Sequence, residues 1–212
     1  MKQYFDHYIK AVTNPLSEIA EYFDKENQFL KNLINKESIV LDVGCGNGRT
    51  IKFLSPFVKR IVGIDYSEKM LGAAKENLEN LENVELIFAN FLEHNFSQQF
   101  DLVYASFNLI GSCETKAGGG EVILGRMVKI TKPGGHCVAS VWSDVGIDFA
   151  WKYYPAIGIK VFEIKDNNVI TSFGNFRRFS KNDLDNLGKL IGKNFRIVDL
   201  TKIFYLLDIS VE

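Results

Sequence analysis

The segment SIVLDVG (38–44), an apolar run that stops at a glycine, constrains the fold more than any other part of the chain. A short run rich in β-branched residues is typical of a strand buried on both faces of a sheet. Similar runs and helical patterns alternate downstream. The runs are RIVGID (60–65), VELIFA (84–89), FDLVYAS (100–106) and HCVASVW (136–142), and the helical segments are SEKMLGAAKENLENL (67–81) and GEVILGRMVKIT (120–131). This alternation predicts an α/β chain with a parallel sheet and helices on both faces.

Both ends of the chain depart from this alternation. Residues 16–35 carry apolar side chains at three- and four-residue spacings, which predicts an amphipathic helix ahead of the sheet. After Trp142 we expect helices over 149–159 and 180–192, strands around an Asp-Asn-Asn turn within 160–180, and final strands over 195–201 and 203–210. The final two strands are joined by too few residues for a crossover, so they should be antiparallel.

The composition fits one folded domain, because 46% of the 212 residues are hydrophobic and 24% are charged. Lysine and arginine number 25 against 26 acidic residues, so charge favours no nucleic-acid partner. Cys45, Cys113 and Cys137 form no CxxC pair, which fits reduced thiols and predicts no metal site and a cytoplasmic location. We expect no secretion and no membrane span, since the N-terminus lacks a signal-peptide core and no apolar window is long enough.

A glycine-rich turn follows the first strand and opens a helix, with Gly44, Gly46 and Gly48 at alternate positions. Glycine permits positive φ and lets a ligand approach the backbone closely. The second strand ends at Asp65, where a carboxylate could accept hydrogen bonds from a ribose diol. The turn and the acid together predict a nucleoside site.

The spacing of the turn indicates which nucleoside. A dinucleotide turn has the pattern GxGxxG, but Arg49 occupies the third glycine position here. Asp42, two residues before the first glycine, would repel a pyrophosphate and attract a cationic ligand. A nucleoside with a sulfonium amino-acid tail therefore fits better.

These segments resemble a class I S-adenosylmethionine-dependent methyltransferase. The family's motifs appear in order and at approximate spacing as VLDVGCGNGRT, GIDYSEKML, Asn90-Phe91, FDLVYASFN and TKPGGHCVASVW. The resemblance covers roughly residues 16–142 and the closing hairpin. It implies a Rossmann-like, doubly wound sheet of seven strands with the last strand antiparallel. It also implies S-adenosyl-L-methionine as the cofactor and S-adenosyl-L-homocysteine as the product.

The resemblance also implies roles for single residues. It puts Asp42 near the cofactor ammonium, Asp65 on the ribose hydroxyls, and Gly44 and Gly46 against the methionyl and ribose parts. Adenine contacts fall to Tyr66, Met70, Asn90 and Phe91, and the methionyl part to Ser106 and Phe107. Asn90 stands where the family commonly has aspartate, although its carbonyl can still accept a hydrogen bond. Tyr66, Met70 and Phe91 also fit an ordinary core.

Methyl transfer from a sulfonium is an in-line displacement that needs no metal, and we assign no catalytic residue. The expected acceptor is a nitrogen or oxygen atom of a small molecule, bound by residues 108–113, 142–144 and the 149–180 insertion. Candidate acceptor contacts are His7, Tyr8, Asn108, Trp142, Trp151 and Arg177, and Arg177 or Arg178 could pair with a carboxylate. The aromatic side chains of the insertion could instead pack its hairpin onto the sheet.

The expected organisation is a single domain of 1–212, a monomer or homodimer. It has an N-terminal helical cap (1–36), a cofactor-binding core (37–142), a substrate-side insertion (143–180) and a closing helix and antiparallel hairpin (181–212). Two alternatives stay open besides small-molecule methylation. One is an RNA or protein methyltransferase with a basic patch of Lys160, Arg177, Arg178 and Lys181. The other is a non-catalytic module that binds S-adenosylmethionine, and an NAD-dependent oxidoreductase is a remote third.

Overall fold

The computed structural model describes residues 2–112, 119–191 and 194–212, so Cys113 lies outside the described residues. Ten strands lie within these described ranges. They are β1 (Ile39–Val43), β2 (Arg60–Asp65), β3 (Val84–Phe88), β4 (Phe100–Ala105), β5 (Thr131–Trp142), β6 (Val161–Lys165), β7 (Asn168–Thr171), β8 (Gly174–Arg177), β9 (Asn194–Asp199) and β10 (Phe204–Ser210). Seven of them form one sheet in the order β3-β2-β1-β4-β5-β10-β9.

The strands β1 to β5 are parallel, and β10 is antiparallel to both β5 and β9. The helices are α1 (Lys2–Thr13), α2 (Ser17–Lys31), α3 (Arg49–Leu54), α4 (Glu68–Asn77), α5 (Leu109–Ser112), α6 (Gly120–Lys129), α7 (Ala150–Ala156) and α8 (Lys181–Ile191). Side chains of α2 and α4 enter one hydrophobic core, and side chains of α6 and α8 enter another. The fold prediction is confirmed: the sheet has seven strands with the last antiparallel, and helices cover both faces.

Local differences from the expected elements have simple causes. The strand β5 begins at Thr131 and not at residue 136, because Thr131 still pairs with Phe100 across a register shift. The helices α1 and α3 were not predicted as separate elements. The α1 sequence has apolar residues at helical spacing, at Tyr4, Tyr8 and Val12, and this was the available sequence signal, whereas α3 has only six residues.

The insertion forms a second sheet of three antiparallel strands, β6-β7-β8. Asp166 and Asn167 both have positive φ, 48° and 60°, as a two-residue hairpin turn of the primed type requires. The predicted turn is therefore confirmed, and β8 extends the expected hairpin by one strand. No helix within the described ranges is long and apolar enough to cross a bilayer.

The strand order reverses between β1 and β4, which are both central strands of the sheet. In open α/β sheets the ligand crevice lies beyond the carboxyl ends of the strands at such a switch point. The loops after β1, β2 and β4 therefore define the place where a site is expected.

Candidate functional site: a glycine loop between buried acids

The loop after β1 holds its glycines in the conformation that the sequence predicts. Gly44, Gly46 and Gly48 have φ values of 70°, 56° and 76°. The N–H groups of Gly44 and Cys45 both donate to the carbonyl of Ile64 at the end of β2, at 2.8 and 3.1 Å. These bonds fix the loop against the neighbouring strand.

Gly46 is the point of closest approach in this loop. A Cβ at Gly46 would lie 3.2 Å from the Met70 methyl group and 3.2 Å from the Tyr8 ring, which is tighter than ordinary contact. The backbone of the loop is therefore in contact with one side chain from α4 and one from α1.

Asp65, at the end of β2, is tied to the same loop. It is buried, and its carboxylate accepts hydrogen bonds from the N–H of Gly46 at 2.9 Å and of Ser67 at 2.8 Å. Burial raises the pKa of Asp65, and the backbone donors oppose that shift. Each carboxylate oxygen has a second lone pair, so both can still accept a hydrogen bond from a diol.

Asp42, near the end of β1, is only 2% exposed and accepts a hydrogen bond from the Tyr104 hydroxyl at 2.7 Å. Burial raises its pKa to about 7, Tyr104 and Arg49 oppose the shift, and Glu26 and Asp65 add to it. Three acids thus influence one another in a buried region, and a cationic ligand would relieve their repulsion. The residues present therefore fit a nucleoside with a positively charged tail.

A buried network that sequence reasoning missed supports the loop from the opposite side. Arg49, the first residue of α3, pairs with Glu26 of α2 at 2.8 Å. The hydroxyls of Tyr22 and Ser140 each donate to Glu26 at 2.6 Å. Glu26 lies on the apolar face of α2, four residues after Tyr22, and this carboxylate among apolar positions was the available sequence signal.

The same two hydroxyls shape the end of β4. The N–H of Phe107 donates to Tyr22 at 2.9 Å and to Ser140 at 3.0 Å. Phe107 and Asn108 both have positive φ, 56° and 64°, which is strained for residues with a Cβ. The network therefore holds an unfavourable backbone conformation at the mouth of the crevice.

The predicted methionyl and acceptor residues on this loop differ in what they contact. The Ser106 hydroxyl is buried, and no described residue is within hydrogen-bonding distance of it. The Asn108 amide is fully buried and bonds the N–H of Trp142 at 3.1 Å and the carbonyl of Arg177 at 3.2 Å. Asn108 thus joins protein segments, so we no longer propose it as an acceptor contact.

The predicted adenine residues lie on and after α4 and β3. Met70 is 1% exposed and contacts the glycine loop, whereas Tyr66 is 57% exposed. The exposed Asn90 side chain accepts from the N–H of Leu92 and donates to Glu93. Phe91 is buried against Phe96, with ring centroids 6.2 Å apart, and Arg126 lies over it. Met70 is the adenine candidate with a direct contact to the glycine loop.

The N-terminal helix α1 covers the crevice. His7 contacts the carbonyl of Ile157 through Nδ1 at 2.5 Å, and the Tyr8 ring lies 5.6 Å from that of Phe107. Burial raises the pKa of Tyr8. Arg49 lowers this pKa, whereas Asp42 and Asp65 raise it further. His7 thus anchors α1 to the insertion, and Tyr8 lies beside the acids of the site.

Comparison with known proteins agrees with this geometry. Residues 40–135, from the middle of β1 into β5, match the family described as "Methyltransferase domain". The matched region is a little under half of the chain, and it contains the glycine loop and both buried acids. A demethylmenaquinone methyltransferase of Staphylococcus aureus is 35% identical over 109 residues, which is 50% of this chain and 43% of that protein. The chain thus matches less than half of the length of this relative.

Solved structures share the fold over nearly the whole chain. A methyltransferase from Clostridium acetobutylicum superposes with a TM-score of 0.69 at 17% identity, covering 96% of both chains. The N-methyltransferase NodS from Bradyrhizobium japonicum, in complex with S-adenosyl-L-homocysteine, superposes with a TM-score of 0.61 at 15% identity, covering 90% of this chain and 87% of that one. At these identities the likeness concerns the fold.

On the side of the crevice formed by the insertion, Trp142 is buried and stacks on Phe204 with ring centroids 4.1 Å apart, whereas Trp151 is 52% exposed. Arg177 pairs with Asp183 at 2.9 Å and lies 3.8 Å from Glu121. Its charge is therefore compensated by protein groups. The neighbouring Arg178 is the buried one of the two arginines.

Proposed function

We propose that this protein transfers a methyl group from S-adenosylmethionine to a nucleophilic nitrogen or oxygen atom of a small molecule. The observation that carries this proposal is the pair of buried acids, Asp42 and Asp65, on either side of a positive-φ glycine loop at the switch point of the sheet. One acid suits a ribose diol and the other a cationic tail.

Within this proposal, Asp65 accepts hydrogen bonds from the ribose hydroxyls and Asp42 attracts the ammonium group. Gly44 and Gly46 let the methionyl and ribose parts approach the backbone. The remaining contacts are assigned to Met70, Tyr66, Asn90 and Phe91 around adenine and to Ser106 and Phe107 around the methionyl part. The unpartnered Ser106 hydroxyl suits the last of these roles.

When bound, the cofactor supplies an electrophilic methyl group on a sulfonium. The chain's own contribution is to exclude water and to hold the acceptor in line. Phe107 forms ring contacts with Tyr8, Trp142 and Tyr153 at 5.6, 5.7 and 6.2 Å, which makes an apolar wall beside the acids. We assign no catalytic base, and an acceptor proton can leave to water.

The charges of the insertion and of the start of α8 favour a small acceptor over RNA or protein. Lys181 pairs with Asp199 at 2.7 Å, Arg177 pairs with Asp183, and Arg178 is buried. The fourth residue of the basic patch that an RNA substrate would need, Lys160, is exposed and lies over Phe162. Like the quinone methyltransferase that it matches in part, this chain then acts on an organic molecule.

The single-domain organisation, the cytoplasmic location and a monomeric or homodimeric state also belong to this proposal. The buried free thiols of Cys45 and Cys137 suit a reducing compartment.

Isothermal titration with S-adenosylmethionine and S-adenosylhomocysteine tests the cofactor site, and absence of heat with both would overturn the proposal. Mass spectrometry of a metabolite extract, incubated with the protein and methyl-labelled cofactor, then identifies the acceptor. Cofactor binding without a labelled product would favour the non-catalytic module. Label recovered in RNA or protein would favour the macromolecular alternative.

A further inference from the structure

Arg178, the residue directly after β8, carries a guanidinium group that is fully buried. Its centre lies 4.2 Å from the ring centroid of Trp142 and 6.0 Å from that of Tyr154. None of its three side-chain nitrogens has a hydrogen-bond acceptor among the residues that the structure describes. The backbone N–H of Arg178 is satisfied by the carbonyl of Asn167 at 2.7 Å, so the segment itself is well held.

A buried charge is costly unless it is paired, so buried arginines in proteins are nearly always hydrogen-bonded. The Tyr154 hydroxyl beside Arg178 is also buried and likewise has no acceptor within the described chain. Burial raises the pKa of Tyr154 to about 12, so the phenol stays protonated at neutral pH and can donate. Two strong donors thus share one environment in which the described residues offer them no acceptor.

This pair of donors is connected to the cofactor crevice by aromatic side chains. The Trp142 ring under Arg178 lies 5.7 Å from Phe107, and Phe107 lies 5.6 Å from Tyr8. Tyr8 in turn is in contact with Gly46 of the glycine loop. The buried guanidinium is therefore connected to the glycine loop through three aromatic rings, and aromatic side chains are the usual lining of sites for organic molecules.

We propose that Arg178 and Tyr154 bind a carboxylate group of the methyl acceptor. This inference rests on the proposed function and names its substrate class. A guanidinium can bind both oxygens of a carboxylate, and the phenol can donate a further hydrogen bond. One positive charge balances one carboxylate, whereas a phosphate dianion would leave a net negative charge in a buried site.

The adjacent Arg177 provides a matched contrast. It is half-exposed and already pairs with Asp183, so an acceptor carboxylate would gain little from it. The sequence analysis named Arg177 as an acceptor contact and left Arg177 or Arg178 as the partner of a carboxylate. Their burial and partners separate them, and the assignment moves to Arg178.

The test uses benzoate as the carboxylate probe, benzamide as its neutral counterpart and phenylphosphonate as a dianion. Binding is followed by thermal melting with Trp151 intact. Tryptophan fluorescence is then measured in a Trp151→Phe background, where Trp142 is the remaining tryptophan of the two in the chain, after melting has shown that this background binds benzoate like the unmodified protein. Each titration is run with and without S-adenosylhomocysteine. Variants are Arg178→Met, Tyr154→Phe and, as the control, Arg177→Met.

We expect benzoate to raise the melting temperature and to alter Trp142 fluorescence, with benzamide and phenylphosphonate weaker. Arg178→Met should weaken benzoate binding at least about tenfold and Tyr154→Phe by about fivefold, while Arg177→Met leaves it unchanged. Equal binding of benzoate and benzamide, or benzoate binding that survives Arg178→Met, would overturn the proposal. Tighter binding of phenylphosphonate would overturn the carboxylate assignment.

The titration with S-adenosylhomocysteine separates this inference from the proposed function. If S-adenosylhomocysteine binds but benzoate binds no better than benzamide, the carboxylate site alone is wrong. If benzoate behaves as expected but S-adenosylhomocysteine does not bind, the carboxylate site stands and the methyltransferase proposal fails. Should Arg178→Met not fold, the Tyr154→Phe variant and the comparison of probes on the unmodified protein still decide the question.

Discussion

Tyr104 of β4 donates a hydrogen bond to Asp42 of β1 across the centre of the sheet, with 2.7 Å between the two oxygens. The two residues are register partners on adjacent parallel strands. A neutral phenol orients the carboxylate without cancelling its charge, so Asp42 stays available to a cation. The buried Asp42 carboxylate lowers the stability of the protein without ligand, because its negative charge is not fully neutralised there. The same charge strengthens the binding of a cationic ligand.

Replacing Asp42 by asparagine tests its part in cofactor binding. Asp42→Asn should weaken binding of S-adenosylmethionine at least about tenfold, because a charge-assisted contact contributes about 1.5–3 kcal/mol. Titration calorimetry measures the effect. Asp166→Asn, which lies in the distant hairpin turn, should bind like the unmodified protein. Equal affinity of both variants would contradict a role for Asp42.

The raised pKa of Asp42 predicts opposite pH trends for stability and for binding. Since the pKa is about 7 in the folded protein and 3.8 in the reference state, the folded protein holds the proton more tightly between these values. The free energy of unfolding contributed by Asp42 is therefore full below about pH 4 and is lost as the pH rises to about 7. The affinity for a cationic cofactor should rise over the same range, as the carboxylate ionises.

Melting and titration experiments between about pH 5 and 8 check both trends. In Asp42→Asn the two slopes should flatten, and the variant without cofactor should be more stable than the unmodified protein at pH 8, by at most about 4 kcal/mol. An unchanged pH dependence in Asp42→Asn would show that another group titrates.

Asp65 has both a structural and a binding role, and two substitutions separate them. Asp65→Ala removes the acceptor of the Gly46 and Ser67 N–H groups, so stability should fall by about 1–3 kcal/mol and the melting response to S-adenosylhomocysteine should be lost. Asp65→Asn keeps one carbonyl oxygen and should lose less stability. The exposed Glu82→Gln is the control. A full cofactor response in Asp65→Ala would exclude Asp65 from the site.

The sequence predicted those parts of the molecule that depend on local patterns. Apolar runs gave the strands, and the position of Asp42 and Asp65 relative to the glycines gave the acid pair. The network of Glu26, Arg49 and Ser140 was not predictable in the same way. Arg49 and Ser140 are 23 and 114 positions from Glu26 in the chain, so the three residues meet only after packing. The difference between Arg177 and Arg178 likewise depends on tertiary packing, because it is the fold that determines which of these two neighbours at the end of β8 is buried.

The contact between Tyr8 and the glycine loop predicts that α1 retains the cofactor. Tyr8→Ala should weaken S-adenosylhomocysteine binding about tenfold, mainly through faster dissociation, because the ring no longer covers Gly46. Tyr8→Phe keeps the ring and should bind within about twofold of the unmodified protein. Stopped-flow dissociation measures the rates. Equal or tighter binding by Tyr8→Ala would mean that the ring obstructs the crevice.

The free energy of unfolding should fall more when one partner of the buried ion pair between Arg49 and Glu26 is truncated than when one partner of an exposed pair is. Glu26 is 1% exposed, so Arg49→Met leaves an uncompensated buried carboxylate and should lower the free energy of unfolding by about 3–5 kcal/mol. The exposed pair of Lys25 and Glu21 is the control, and Lys25→Met should cost less than about 1 kcal/mol.

Chemical denaturation measures these differences, and the single variant Glu26→Gln together with the double variant Glu26→Gln, Arg49→Met completes the cycle. Because glutamine removes the buried charge, the double variant should be more stable than Arg49→Met alone. Glutamine keeps one carbonyl oxygen for the Tyr22 and Ser140 hydroxyls, but a neutral acceptor orients them toward the strained Phe107 backbone less firmly than a carboxylate, so cofactor binding should stay somewhat weaker than in the unmodified protein. A double variant as unstable as Arg49→Met would show that Arg49 acts through its packing over Phe23, at 3.8 Å, and not through its charge.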